Sequence, residues 1–262
     1  MRLVVLLPLL ALKSVSSRGG GDQEAIEERF DMRQRLHSIV LSKRYVFVGG
    51  LQRTGTTLVG GCLGDADTYT GLKNDNLGPG AYEAMRPWTI QNFSRTYYEA
   101  TVKTGGTEGK FVQSVYPYTY LVRDVVANNH SIDEHHFNEK TVLATRVKGL
   151  ELFRQWAPFW DLDQQYLVEK TPENLMMSRA LATMFGPTRT HFIFTMRHPL
   201  VWSLAIDKWV VKWARKFPHT RAFQVRQRVA FWLQMFQRLE VDIAHLPSAT
   251  LGVCVSPFVS QA

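Results

Sequence analysis

The chain has 262 residues, enough to bury a sizeable core as one large domain or two small ones, and at 45% hydrophobic and 21% charged it excludes a disordered segment. A formal net charge of +8 favours acidic partners: nucleotides, nucleic acid, anionic glycans or a membrane surface. No Lys/Arg block exceeds two residues and no zinc-finger spacing occurs. A diffuse basic surface around an anionic substrate therefore fits better than a nucleic-acid arm, with solvated basic faces of no specific meaning as the plain alternative.

Residues 1–17 read as a secretory leader: Met1-Arg2, an apolar run from Leu3 to Leu12, then small residues at Ser14 to Ser17. The run is too short to span a bilayer, so cleavage is expected over a retained anchor, and a first element of a cytosolic domain is the other option. Two Asn-x-Ser sequons, at Asn92 and Asn129, are compatible with that route. Residues 18–44 are a linker with a surface helix over about 22–42, following Gly19-Gly20-Gly21. The domain proper is expected over 45–262.

Tyr45-Val46-Phe47-Val48 is short, aromatic and β-branched and runs into two glycines, which predicts a buried strand ending in a tight turn. A helix is expected from about Leu58 to Leu63, weakened by Gly60 and Gly61. Loop is expected over 65–80, helix over 88–103, a flexible loop at Gly105 to Gly109, and an apolar pattern over 111–127. Helical spacing covers Asn138 to Trp156, and a strand at Tyr166-Leu167-Val168 turns through Lys170-Thr171-Pro172 into a helix over Asn174 to Phe185. His191 to Met196 is a further strand, followed by a helix toward Lys216 and a last long helix over 221–244. Strand alternating with helix implies a three-layer α/β domain, a central parallel sheet flanked by helices. Two cysteines, Cys62 and Cys254, give no disulfide framework; Cys62 is expected to pack as a small hydrophobe, and a bridge between the two is left open.

The strongest local signal is Gly50-Leu51-Gln52-Arg53-Thr54-Gly55-Thr56-Thr57, between a strand and a helix. Glycines let the backbone curl so that successive N–H groups point at a phosphate, the helix start adds partial positive charge, and Thr56 and Thr57 add hydroxyls. The spacing is that of a Walker A loop, but Thr56 stands where the lysine belongs. The cation is Arg53 instead, inside the loop, which suits a 5'-phosphate end better than a nucleoside triphosphate.

Gly49 to Leu58 resembles the 5'-phosphosulfate loop of P-loop sulfotransferases, with its R-[ST]-G-T-T core. Val168-Glu169-Lys170-Thr171-Pro172-Glu173-Asn174 resembles that family's E-K-[ST]-P segment, and Phe192 to Leu204, with Arg197-His198-Pro199, resembles its strand, R-[DH]-P and helix that hold a 3'-phosphate. The likeness runs from about 45 to 245, nearest to the branch of tyrosylprotein, glycan and bacterial enzymes. It implies transfer of a sulfuryl group from 3'-phosphoadenosine 5'-phosphosulfate to a hydroxyl acceptor, glycan or protein tyrosine, without a metal and without a nucleic-acid partner. The leader would then place the enzyme in the secretory pathway, in the Golgi lumen, with a cytoplasmic location as the alternative and membrane contact only through a retained leader.

The resemblance also implies roles. Gly50, Gln52, Arg53, Thr54, Gly55, Thr56 and Thr57 would hold the 5'-phosphosulfate, Arg197 the 3'-phosphate, and Lys170 the charge at the bridging oxygen. For the base, Glu108 resembles the glutamate of the bacterial D-E-G-Q-x-x-Q segment, while Asp75 lies nearer the spacing of the tyrosylprotein enzymes. Such a base would need desolvation to raise its pKa toward neutrality. Two departures stand out. Ala205 replaces the family's phosphate-binding serine, and Ser203, about 200° away on a helix, is the available substitute. After about 245 the V-x-R-Y-E-D-L strand is replaced by Leu251-Gly252-Val253-Cys254-Val255-Ser256-Pro257, expected to be a poor sheet strand in an atypical or truncated end. An impaired relative that only binds an anion, or less closely a P-loop kinase, are the competing readings.

Overall fold

The computed structural model describes residues 34, 36–64, 66–72, 108–117, 125, 131–216, 225–246 and 250–254. The leader, both sequons, Asp75 and the helix expected over 88–103 lie outside them. Among the described residues five strands form one parallel sheet: β1 (Arg44–Gly50), β2 (Tyr69–Thr70), β3 (Tyr166–Lys170), β4 (Thr190–Met196) and β5 (Thr250–Cys254). Their order is β2-β3-β1-β4-β5. The helices are α1 (residues 36–42), α2 (Thr56–Gly64), α3 (Arg146–Trp156), α4 (Ser178–Phe185), α5 (Pro199–Lys216) and α6 (Val225–Ile243). The α/β architecture expected from the alternation of strands and helices is the one observed.

Strand periodicity divides the core into two. On one side of β1, Tyr45 and Phe47 join Phe153, Trp156, Trp160, Phe185 and Phe192 in a dense aromatic cluster under α3 to α6. Rings meet edge-on (Tyr45–Phe153, 6.3 Å) or stacked (Trp156–Phe185, 6.0 Å), and full burial of each such side chain stabilises by roughly 1.5–3 kcal/mol. On the other side, Val46, Val48 and Val168 pack with Val59 and Leu63 of α2. Right-handed crossovers account for this split. The chain steps one way across the sheet through α2, and the opposite way through α3, α4 and the α5–α6 pair, so those helices land on the other face.

Several local expectations change. Helix α3 starts only at Arg146, because the Thr145 hydroxyl accepts from Lys148 N and caps it there. Upstream, Thr141 and Asn138 side chains bond nearby backbone N–H groups and hold turns instead of a helix. The helix expected over 174–185 splits into a 3-10 turn, Pro172–Met176, and α4, with a break at Met177. Asn174 explains the break: its amide donates to Val48 O and to Glu169, pulling the first turn onto the sheet. The loop after α2 contains β2, fixed by the stack of Tyr69 on Tyr166 at 4.6 Å. Far from being a poor strand, 250–254 pairs along its whole length with Phe192 to Met196. Cys62 is a free thiol and exposed, so it neither packs as a small hydrophobe nor bridges to Cys254. The reason is phase: α2 buries Thr56, Gly60 and Gly64, and Cys62 shares the outward face with Leu58, four residues before it.

Candidate functional site

Three strand ends converge. β1 and β3 lie beside each other, β4 flanks β1, and their C-terminal residues Gly50, Lys170 and Met196 line one edge, where the direction of chain travel across the sheet reverses. Open α/β sheets bind ligands in that crevice.

The loop after β1 owes its shape to backbone chemistry. Gly50 has φ +150° and Gly55 φ +103°, values that side chains disfavour. A Cβ on Gly50 would lie 2.6 Å from the Thr195 carbonyl oxygen, and would also strike the Thr195 hydroxyl. Arg53 itself has φ +72° at the turn closed by Thr54 N donating to Leu51 O. A left-handed arginine is strained, and this one is held by its neighbours. The Thr54 hydroxyl donates to Leu51 O at 2.6 Å and meets the Thr195 hydroxyl at 2.7 Å, so Thr54 is fully buried and shapes the loop from within. Trp202 Nε1 on α5 donates to Gln52 O at 2.8 Å, and the Gln52 amide donates to Glu173 Oε1 at 2.5 Å. Thr56 is buried and Thr57 exposed at the head of α2, whose first-turn amides lack carbonyl partners within the helix.

Lys170 ends β3 on the α2 side of the sheet. Its stem crosses Gly60, where a Cβ would approach Lys170 Cβ and Cγ to 2.8 Å, so the glycine that weakens α2 makes room for the lysine. Lys170 Nζ donates to Glu108 Oε1 at 2.9 Å and to the Thr57 hydroxyl at 3.4 Å. One residue back, Glu169 points to the opposite face and is buried, accepting from Gly109 N, the Thr171 hydroxyl and the Asn174 amide. Burial pushes its carboxyl up, against those hydrogen bonds. Its hold on Gly109, with the Trp156 indole donating to Gly109 O at 3.0 Å, sets the backbone beside Glu108.

Glu108 sits between two lysines, Lys170 and Lys110, the latter 3.0 Å from Oε2. Burial alone would push its carboxyl up, but the charges and hydrogen bonds of Lys110 and Lys170 outweigh that and hold it below the usual carboxylate range. The expected upward shift toward neutrality is therefore reversed in this state, because the group is desolvated together with its counter-charges. Lys110 is buried and also donates to Glu173 Oε2 at 2.6 Å. Burial opposes its charge, and the two carboxyls more than restore it.

Arg197 follows β4. Its Nη1 donates to Arg53 O at 3.3 Å, which brings the two arginines of the sequence reading together, and Trp232 Nε1 holds Arg197 O at 3.0 Å. Arg197 Nε is buried with no partner among the described residues. Ser203 is placed differently: fully buried, its hydroxyl without a partner among the described residues and its carbonyl held by Arg228 at 2.9 Å. The structure thus gathers Gln52, Arg53, Thr57, Glu108, Lys170 and Arg197 around one edge and buries Ser203 on the inner face of α5. Lys110, Trp202, Trp232 and Thr195 were not singled out from the sequence. Charged residues next to apolar ones, Lys110 before Phe111-Val112 and Glu169 after Leu167-Val168, were the available hint that these side chains are buried with polar partners.

A strand, a glycine-framed loop and a helix, flanked by cations at the ends of β3 and β4, give an α/β protein with a P-loop-like turn, an arrangement suited to an anion. Residues 45–253 match the sulfotransferase family model, and the chain belongs to that family. Solved sulfotransferases from Mycobacterium tuberculosis (16% identity, TM-score 0.43, 84% of this chain and 65% of that one) and Mycobacterium avium (14% identity, TM-score 0.48, 86% and 62%) are similar to it. The chain thus spans under two thirds of the length of either. No curated protein matches it.

Proposed function

We propose that the protein transfers a sulfuryl group from 3'-phosphoadenosine 5'-phosphosulfate to a hydroxyl-bearing acceptor. One observation carries the reading: Lys170 touches both Glu108 and Thr57, so a carboxylate and a cation meet at the anion loop. The donor supplies an activated sulfur whose bond to the bridging phosphate oxygen is broken as the acceptor oxygen attacks. The chain's residues supply the rest. Glu108, ionised between its lysines, takes the acceptor proton. Lys170 balances the negative charge on the departing phosphate, as the loop amides and Arg53 do from the other side. Arg197, bonded through Nη1 to the loop at Arg53 O, grips the 3'-phosphate through charge-assisted hydrogen bonds.

The acceptor is a glycan or protein tyrosine hydroxyl, and the leader composition supports a secretory, Golgi-lumenal setting. Mass spectrometry of the mature N-terminus from a secreting cell checks that setting, and an unprocessed Met1 in soluble cytosolic protein sinks it. A second reading, an anion-binding relative without turnover, is favoured by Ala205 and by the burial of the Ser203 hydroxyl.

Calorimetric titration with 3'-phosphoadenosine 5'-phosphate, beside ATP-magnesium and 5'-AMP, tests the donor assignment. Binding that requires the 3'-phosphate and is lost in Arg53→Ala and Arg197→Ala is expected. Preference for ATP-magnesium would turn the assignment to a kinase, and binding without turnover of any phenolic or sugar acceptor would leave the non-catalytic reading.

A further inference from the structure

A circuit of polar contacts leaves the anion loop and returns to it. It runs from Gln52 to Glu173 (2.5 Å), to Lys110 (2.6 Å), to Glu108 (3.0 Å), to Lys170 (2.9 Å), and back to Thr57 (3.4 Å). The two lysines are unequal. Lys110 has 2% of its side chain exposed and both carboxyls within hydrogen-bond reach; Lys170 has 11% exposed and bonds the Thr57 hydroxyl of the loop. On the reading above, Lys170 must turn toward the leaving oxygen during transfer, which removes one of the two cations that keep Glu108 ionised.

We propose that Lys110 is a positioning residue for the transfer: it stays as the fixed counter-charge of Glu108 while Lys170 moves, and through Glu173 and Gln52 it ties the proton acceptor to the donor loop. This rests on the assignment of Glu108 as base. Among the described residues, the groups facing Glu108 are those two lysines, with Glu173 and Glu169 behind them and the buried Tyr116 phenol in the field of all three carboxyls. Without Lys110, Glu108 would confront Glu173 across a dry gap, and its carboxyl would rise toward the protonated state as soon as Lys170 turned away. The acceptor proton would then have no ionised carboxylate to receive it.

The test follows the Glu108 carboxyl directly, by carbon-13 NMR titration of protein labelled at glutamate Cδ, assigned with Glu108→Gln. In Lys110→Met/Glu173→Gln, which removes both buried partners together, the Glu108 midpoint is expected to rise by at least about one pH unit, a tenfold change in proton affinity. Glu173→Gln alone, with Lys110 kept, should leave the midpoint at or below that of the wild type. Should the double variant not fold, Lys170→Met carries the same test: Glu108 must still titrate below an ordinary glutamate, held by Lys110. An unmoved midpoint in the folded double variant, or an ordinary midpoint in Lys170→Met, overturns the proposal. Turnover separates this from the broader reading. Wild-type rates in Glu108→Gln would sink the base assignment itself, whereas loss of 3'-phosphoadenosine 5'-phosphate binding by the wild-type protein would sink the donor assignment.

Discussion

The anion loop (residues 50–57) and the segment carrying Glu108 (108–117) meet at one site but are built on opposite principles. The loop takes its turn from its own backbone, with positive φ at Gly50, Arg53 and Gly55, a turn closed within four residues and the Thr54 hydroxyl bonded three residues back. Thr195, Trp202 and Glu173 then pin that turn to the fold. The Glu108 segment has little regular structure of its own, one 3-10 turn, and takes its position from residues about 40 to 60 places away: Glu169, Thr171, Glu173, Gln155 and Trp156. Short-range order is written in local sequence, and long-range order in a set of pairings that only a finished fold supplies.

Breaking one end of the buried circuit should give the largest effect. Lys110→Met strands Glu173 and Glu108 without their shared cation, and loss of a partner from a buried ion pair costs about 3–5 kcal/mol, read as a fall in the denaturant midpoint. Next comes the loop itself. Gly50→Ala forces a Cβ to within 2.6 Å of Thr195 O at an unfavourable φ, expected to cost roughly 2–4 kcal/mol and to abolish nucleotide binding in calorimetry. Thr54→Val removes only the hydroxyl bridge to Leu51 and Thr195, for about 1–2 kcal/mol, with weakened nucleotide binding in a protein that still melts cooperatively.

The comparison sharpens with pH. Glu108 is depressed in the folded state, so the stability it contributes is complete above the ordinary carboxylate range and is lost as pH falls through its lower folded value. The melting-temperature gap between wild type and Glu108→Gln should therefore close on acidification through that window; a gap that widens would contradict the ion pairing. Smallest of all, Cys62→Ser lies on the outward face of α2 and should change stability by under about 0.5 kcal/mol, measured in the same melts. A larger loss would mean that this face is covered.

Legibility followed the same divide. The loop, the strands at 45–48, 166–168 and 191–196, and the place of Lys170 at a strand end could be anticipated, because each depends on neighbours in sequence. Helix α3 was overextended because apolar spacing from Asn138 onward resembles a helix, while Thr141 and Asn138 spend their side chains on turns. Cys62 was misplaced since nothing in an apolar run says which way a glycine-rich helix is rotated. The downward shift of Glu108 was missed because Lys110, two residues away along the chain, points into the fold with it.

The sequence by itself determined a parallel α/β chain with an anion loop after its first strand, since strand periodicity and glycine placement are local and survive any packing. Tertiary structure alone decided that Glu108, Lys110, Lys170 and Glu173 form one circuit, that Ser203 lies on the buried face of α5, and that 250–254 pairs with β4. Those outcomes depend on which faces are brought together and which charges are desolvated together, and burial of that kind is a property of the assembled core rather than of any segment.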